Sequence, residues 1–291
     1  MLDAKSLVAE VSSLISFPSV AIEINRLLNS EKSTVSEIAA VIESDPALTA
    51  KLLKVANSAL VQGRGEIDSV GKAVNRIGSR MVNELVMGIE VARCFEGLDN
   101  DLISVEDFWR HSLQCATICQ QLAALTGARD SGAAFTAGLL HDIGQLIMYS
   151  TLGEQIEDCL TDFMGNGRIK STYHAEQQFF GFDHCNVGLE LAIQWQLPLS
   201  LQQCIYAHHQ PSRLPAAADI VHIVHLGNLL AQYHEQCQGG DQTETETAAA
   251  LKASDSWRRL QLSPECANNI IIDAQDTTEL LLGNFVKTQA A

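Results

Sequence analysis

Apolar residues along this chain recur every three to four positions, and stretches that alternate apolar with polar are scarce. A chain patterned in this way buries its apolar stripes by packing helix on helix, so the pattern predicts an all-α fold. Helix starts are marked at several places. Thr34-Val-Ser-Glu37 reads as a capping box before a segment with Ile38, Val41 and Ile42 on one face. Asp45 reads as an N-cap with Pro46 at the first helical position, where a missing N–H costs nothing. The helix that follows carries Leu48, Leu52, Val55 and Ala59 on one stripe. Gly63 and Gly65 punctuate a loop, without the GK[ST] that would make it a phosphate loop. A run from Val70 to about Phe95 contains Gly71, Gly78 and Gly88, so it is either broken or closely packed.

Gly97 to Asp101 is turn-rich and marks the best internal boundary. Ser104 caps the next helix, which carries Trp109, His111, Cys115 and Cys119. Ala133 to Leu152 reads as apolar and helical, and Gly165-Asn-Gly167 as a turn. Asp183 is predicted to N-cap a helix running through Trp195. Leu197-Pro198 opens another that ends near His208-His209, and Ala216 to Tyr233 reads as a long apolar helix. The segment QGGDQTETETAAA is polar and reads as a mobile loop, with at least one more helix beyond it. The expected division is residues 1–100, 101–236 and 237–291. No internal repeat is present.

The 19 basic and 35 acidic residues leave a net charge of −16. That balance repels nucleic acid and anionic membrane surfaces, and no basic block offsets it. No apolar run approaches the roughly 18 residues of a membrane span. The eight cysteines include no CxxC pair, and MLDAKSLVAE lacks the apolar core of a signal peptide. These features predict reduced thiols in a cytoplasmic protein, with Cys115 and Cys119 as small core residues.

The chemistry-bearing residues form an ordered set: His111, His141-Asp142, His184, His208-His209 and then Asn228. The first six have the types that a carboxylate- and imidazole-bound metal pair needs. Asp107 lies one turn before His111 and points the same way. Taken singly, each histidine also fits a hydrogen-bonded core role, and His208-His209 suits the negative end of a helix dipole. His225, three residues before Asn228, reads as a group that would support the set from behind. His174, His222, His234 and, as the alternative for it, His225 read as structural.

Two stretches carry ordered motifs. The first comprises FPSVAIEINRLL, DPALTAKLLKVANSAL and AVNRIGSRMVNELVM. The second comprises FWRHSLQCA, AGLLHDIGQLIM, FFGFDHCNVGLELAIQWQLP and HHQP. Together they resemble the HDOD family, bacterial signalling modules named as HD-related output domains. The blocks run in order from about residue 14 to 235. DPALTAKLLKVANSA is the most specific, because generic HD hydrolases lack it. The resemblance implies an N-terminal helical subdomain packed on a degenerate HD-type bundle. It also implies a signalling or scaffold role through unidentified signalling proteins, with a nucleotide as a further ligand.

In the related HD-GYP phosphodiesterases the positions matching His111, His141, Asp142, His184, His208 and His209 are metal ligands. The resemblance therefore implies one or two divalent ions of the Fe, Mn, Mg, Zn or Ni kind. Three departures weigh against turnover. Asn228 stands where HD enzymes carry a late Asp, and an amide supplies no charge. Gln145 replaces the Lys of the common HDxGK motif, and HHQPSRLP lacks the GYP loop. The expectation is a non-enzymatic module, with a metal-dependent phosphohydrolase as the alternative.

Overall fold

The structure is a computed structural model that describes residues 2–11, 18–28, 33–57, 67–95, 104–127, 133–162, 171–239 and 251–285. Among these residues it consists of helices, turns and bends, with no strand. The fold is all-α, as the apolar spacing predicts. Phe17, Gly63, Gly65, the Gly97–Asp101 turn, the 165–167 turn and most of the polar stretch after 237 fall outside the described residues. The chain forms two compact units, Met1–Ser16 with Gly97–Ile271, and Phe17–Glu96 with Ile272–Ala291.

Helix α1 (Ala4–Val11) belongs to the first unit, and α2 (Ser19–Leu28), α3 (Val35–Glu43), α4 (Pro46–Ala56) and α5 (Val70–Cys94) to the second. The Thr34 hydroxyl accepts from the Glu37 N–H, and the Glu37 carboxylate accepts from the Thr34 N–H, which closes the capping box. Asp45 accepts from the Ala47 and Leu48 N–H groups, and its other oxygen binds Arg93 at 2.7 Å. Leu48, Leu52 and Val55 are buried, as are Ile38 and Ile42, while Val41 is half-buried. Of the two readings of the 70–95 run, the structure shows the break: Gly78 sits at φ 84°, a left-handed conformation that glycine adopts without strain.

The first unit continues with α6 (Val105–Thr126), α7 (Ala134–Leu140), α8 (Ile143–Leu152), α9 (Glu154–Leu160), α10 (Thr172–Phe180), α11 (His184–Gln194), α12 (Leu199–Ala207), α13 (Asp219–Gly239) and α14 (Asp255–Leu260). A last helix, α15 (Pro264–Phe285), begins in the first unit and ends in the second. Helix α6 packs on α7 and α13, α11 packs on α1, α8 and α12, and α12 also meets α7 and α13. Trp109 and Trp195 are buried here, with Cys115 and Cys119 fully enclosed.

The helical stretch from Ala133 to Leu152 is divided into two helices, and the break falls at His141-Asp142, where Asp142 leaves helical geometry at φ −100°, ψ 11°. Two consecutive residues inside one helix point about 100° apart. The break frees both side chains to face the same centre. Beside it, α8 and α11 touch backbone to backbone: a Cβ on Gly144 would lie 2.0 Å from the His184 carbonyl oxygen.

Candidate metal centre

Asp142 is the hub, and each of its two oxygens faces two imidazoles. Oδ2 lies 3.1 Å from His141 Nε2 and 3.6 Å from His111 Nε2. Oδ1 lies 3.0 Å from His208 Nε2 and 3.3 Å from His184 Nε2. The four rings come from α6, the α7–α8 break, the start of α11 and the end of α12. His141, Asp142, His184 and His208 are buried, and His111 is half-buried.

Each ring is turned by what holds its other nitrogen. His141 Nδ1 is 2.7 Å from the Gly138 carbonyl, and His208 Nδ1 is 2.9 Å from the Ile205 carbonyl. His184 Nδ1 is 2.6 Å from Glu176, and His111 Nδ1 is 2.8 Å from Glu235. A carbonyl or carboxylate accepts, so Nδ1 carries the proton and Nε2 presents its lone pair inward. Four inward lone pairs around a carboxylate repel one another unless a cation or extra protons sit among them. His111 Nε2 and His141 Nε2 are only 3.3 Å apart. Asp142 Oδ1 is buried and receives no aligned hydrogen bond despite its near neighbours. Imidazoles oriented through Nδ1 by carboxylates and carbonyls are what a divalent ion requires, so this donor set fits one.

The fifth histidine, His209, is half-buried, with its Nε2 3.1 Å from His184 Nε2 and its ring tilted over Tyr173 at 4.8 Å. Two groups of these residues bring their donor atoms within 4.8 Å of one another: His111, His141 and Asp142, and His184, Cys185, His208 and His209. Asn228 is buried on α13, and its side-chain oxygen has no hydrogen-bond partner among the described residues. It lies three residues after His225 and seven before Glu235, which places all three on one helix face. His225 touches the His208 carbonyl at 2.6 Å and Glu235 touches His111, so that face looks toward the cluster. Asp107 is exposed one turn before His111 and belongs to neither group. Gln145 is half-buried.

The electrostatics follow from burial and neighbours. Burial opposes charge on His184, yet Glu176 and Cys185 carry its imidazole well above its ordinary value. His208 is raised to about 10 against the same penalty, by Cys185 and Asp142. Burial and the adjacent His208 and His184 push His209 well below the usual imidazole range. Burial disfavours the charged form of Asp142, but His141, His184 and His208 outweigh it and hold its carboxyl well below the usual range.

Several contributors carried no readable signal in the sequence. Glu176 is fully buried, and one oxygen accepts from both the backbone N–H and the ring of His184. Glu235 lies 124 positions from His111, and Cys185 is hidden beside His184. Asp183, which does N-cap α11, is also ion-paired to Arg213, whose guanidinium lies over the Tyr173 and Tyr206 rings. That clamp fixes the first turn of α11 and with it His184.

Comparison with known proteins agrees with this architecture. A curated uncharacterized protein of Treponema pallidum is 26% identical over 213 residues, which are 73% of this chain and 40% of that protein. The chain thus spans about two-fifths of that relative's length. An HDOD domain protein of unknown function from Geobacter sulfurreducens superposes with a TM-score of 0.76, at 24% identity over 97% of both chains. A candidate phosphohydrolase from Shewanella amazonensis SB2B gives the same TM-score at 21% identity, over 97% of this chain and 98% of that one. The HDOD domain pattern itself matches residues 14–211, more than half of the sequence, and the chain therefore belongs to the HDOD domain family.

Proposed function

We propose that this chain is a signal-transduction module whose bundle holds a divalent metal at a degenerate HD site, and that it works by binding. One observation carries the reading: four imidazoles, each pinned through Nδ1, converge their Nε2 atoms on Asp142. His111, His141, Asp142, His184, His208 and His209 would hold the ion, with the Asn228 carbonyl as a neutral extra donor. Bound there, a divalent ion would polarise a phosphoryl oxygen or a water. Turnover needs more. The developing phosphate charge requires a compensating cation, and Gln145 supplies none. Asn228 withholds the carboxylate that a second ion would need. The partners are signalling proteins, with a nucleotide as a small ligand, and the eight free cysteines suit a reducing cytoplasm.

The convergence of six ligand-type residues also favours a second reading, a metal-dependent phosphohydrolase acting on a nucleotide or phosphoester. Metal content of the purified chain and steady-state hydrolysis of cyclic diguanylate with manganese or ferrous ion decide between them. Stoichiometric metal without turnover is expected. Turnover that disappears in His141→Ala would replace the binding reading with the enzymatic one.

A further inference from the structure

Helix α13 has a second face. His225, Asn228 and Glu235 look toward the cluster, and helical spacing puts Leu230 and Tyr233 on the opposite side. There α13, residues 251–252, α14 and the first half of α15 line a cavity of about 220 Å³. All of its lining lies within the first unit and beyond the residues 14–211 that carry the HDOD pattern. Leu230, Leu251 and Ile271 give it a buried aliphatic floor. Tyr233 and Trp257 add two half-buried aromatic rings. A dry apolar cavity of about 150 Å³ accepts a benzene ring. This one therefore holds a single ring with one small substituent, and it is smaller than the roughly 300 Å³ at which drug-sized pockets begin.

The polar lining selects the substituent. The chain carries 35 acidic residues, yet none is among the described residues that line this cavity. Lys252 is the one cation among them, and it is exposed at the rim. The neighbouring Arg258 and Arg259 are held by Asp255 and Asp219. Asn268, also exposed, adds an amide donor beside the ammonium. We propose that this cavity binds a small aromatic carboxylate, with its ring against Tyr233 and Trp257 and its carboxylate on Lys252. Aromatic walls favour a flat ring over a flexible chain of equal area, and the ammonium and amide complement the anion. The site is separate from the metal cluster and gives the module an input of its own.

The probe is phenylacetate, titrated into the full chain and followed by calorimetry and methyl NMR. The methyl signals of Leu230, Leu251 and Ile271 should move, while those of Leu48 in the second unit stay. Neutral phenylacetamide should bind about two- to fivefold more weakly, the range of an exposed ion pair. Lys252→Met should erase that preference, and Lys5→Met should keep it. Lys252 is exposed, so its replacement leaves the core untouched. Ala267→Phe, which puts a ring into the cavity from α15, should abolish binding. The same results are expected with and without divalent ion, so the site stands or falls apart from the metal centre. Equal affinity for the two probes overturns the anion assignment, and tighter binding of hexanoate overturns the aromatic one. No methyl shift with any probe overturns the site. So does a dimer in sedimentation that Trp257→Ala dissolves, which would give this face to a second copy of the chain.

Discussion

At the scale of single residues, the candidate site depends on groups that never face its centre. Glu176 accepts from His184 at 2.6 Å and is itself fully buried, so its charge both orients the ring and raises its basicity. Glu176→Gln keeps the shape and removes the charge. Zinc affinity, read by competition with a chromogenic chelator, should fall by roughly 10- to 100-fold, with helicity unchanged. Asn228→Asp is expected to act in the opposite direction and raise the number of ions bound per chain. Unchanged metal content in that variant would count against placing Asn228 in the site. In the second unit, Glu84 is a buried acid with one oxygen unpartnered among the described residues. Burial raises its carboxyl to about 8, and Arg80 only partly opposes that. A folded-state value above the ordinary 4.5 means that the folded chain binds this proton more tightly than the unfolded one. Its contribution to stability is therefore full below pH 4.5, is lost as the pH rises toward about 8, and stays lost above that. Glu84→Gln should match the parent protein in urea melts near pH 5. At pH 8 it should exceed the parent by on the order of 2 kcal/mol. Equal stability at both pH values would show that Glu84 stays neutral or solvated.

Among the secondary-structure elements, the closest approach is between α8 and α11. A methyl group on Gly144 would meet the His184 carbonyl at 2.0 Å and the Gly188 nitrogen at 2.6 Å, and backbone atoms cannot rotate away. Gly144→Ala should therefore cost about 1–3 kcal/mol, seen as a lower thermal midpoint. It should also weaken metal binding, because α11 carries His184. A variant with native stability and affinity would mean that the two helices have room to part. Much at this scale was legible in advance. The caps at Thr34, Asp45, Ser104 and Asp183 depend on local hydrogen bonds within four residues, so residue type alone reveals them. The break at His141-Asp142 was not legible, because the apolar pattern runs through it without a glycine or proline at the break. Glu176 and Glu235 stayed hidden for a different reason. Each is an ordinary acid on its own helix, and only tertiary packing brings it to a histidine 8 or 124 positions away.

The whole molecule carries a net charge of −16, and Asp142, Glu176 and Glu235 add local negative charge at the cluster. Self-repulsion of this size destabilises a compact state and repels anionic ligands, while it draws in cations. A divalent ion that binds only the folded chain stabilises it by mass action, about 2.7 kcal/mol at a hundredfold excess over its dissociation constant. For a chain of this length that corresponds to a rise in melting temperature of about 5 °C. Salt also relieves self-repulsion, so the comparison belongs at fixed ionic strength. Under those conditions zinc should raise the midpoint of the chelator-stripped protein, and magnesium should raise it less. In His141→Ala one of the four pinned imidazoles is gone and a buried carboxylate loses a neighbour, so the zinc-induced rise should shrink to near zero. If His141→Ala and the parent protein rise equally, the ion is acting on diffuse surface charge and the cluster is not its site.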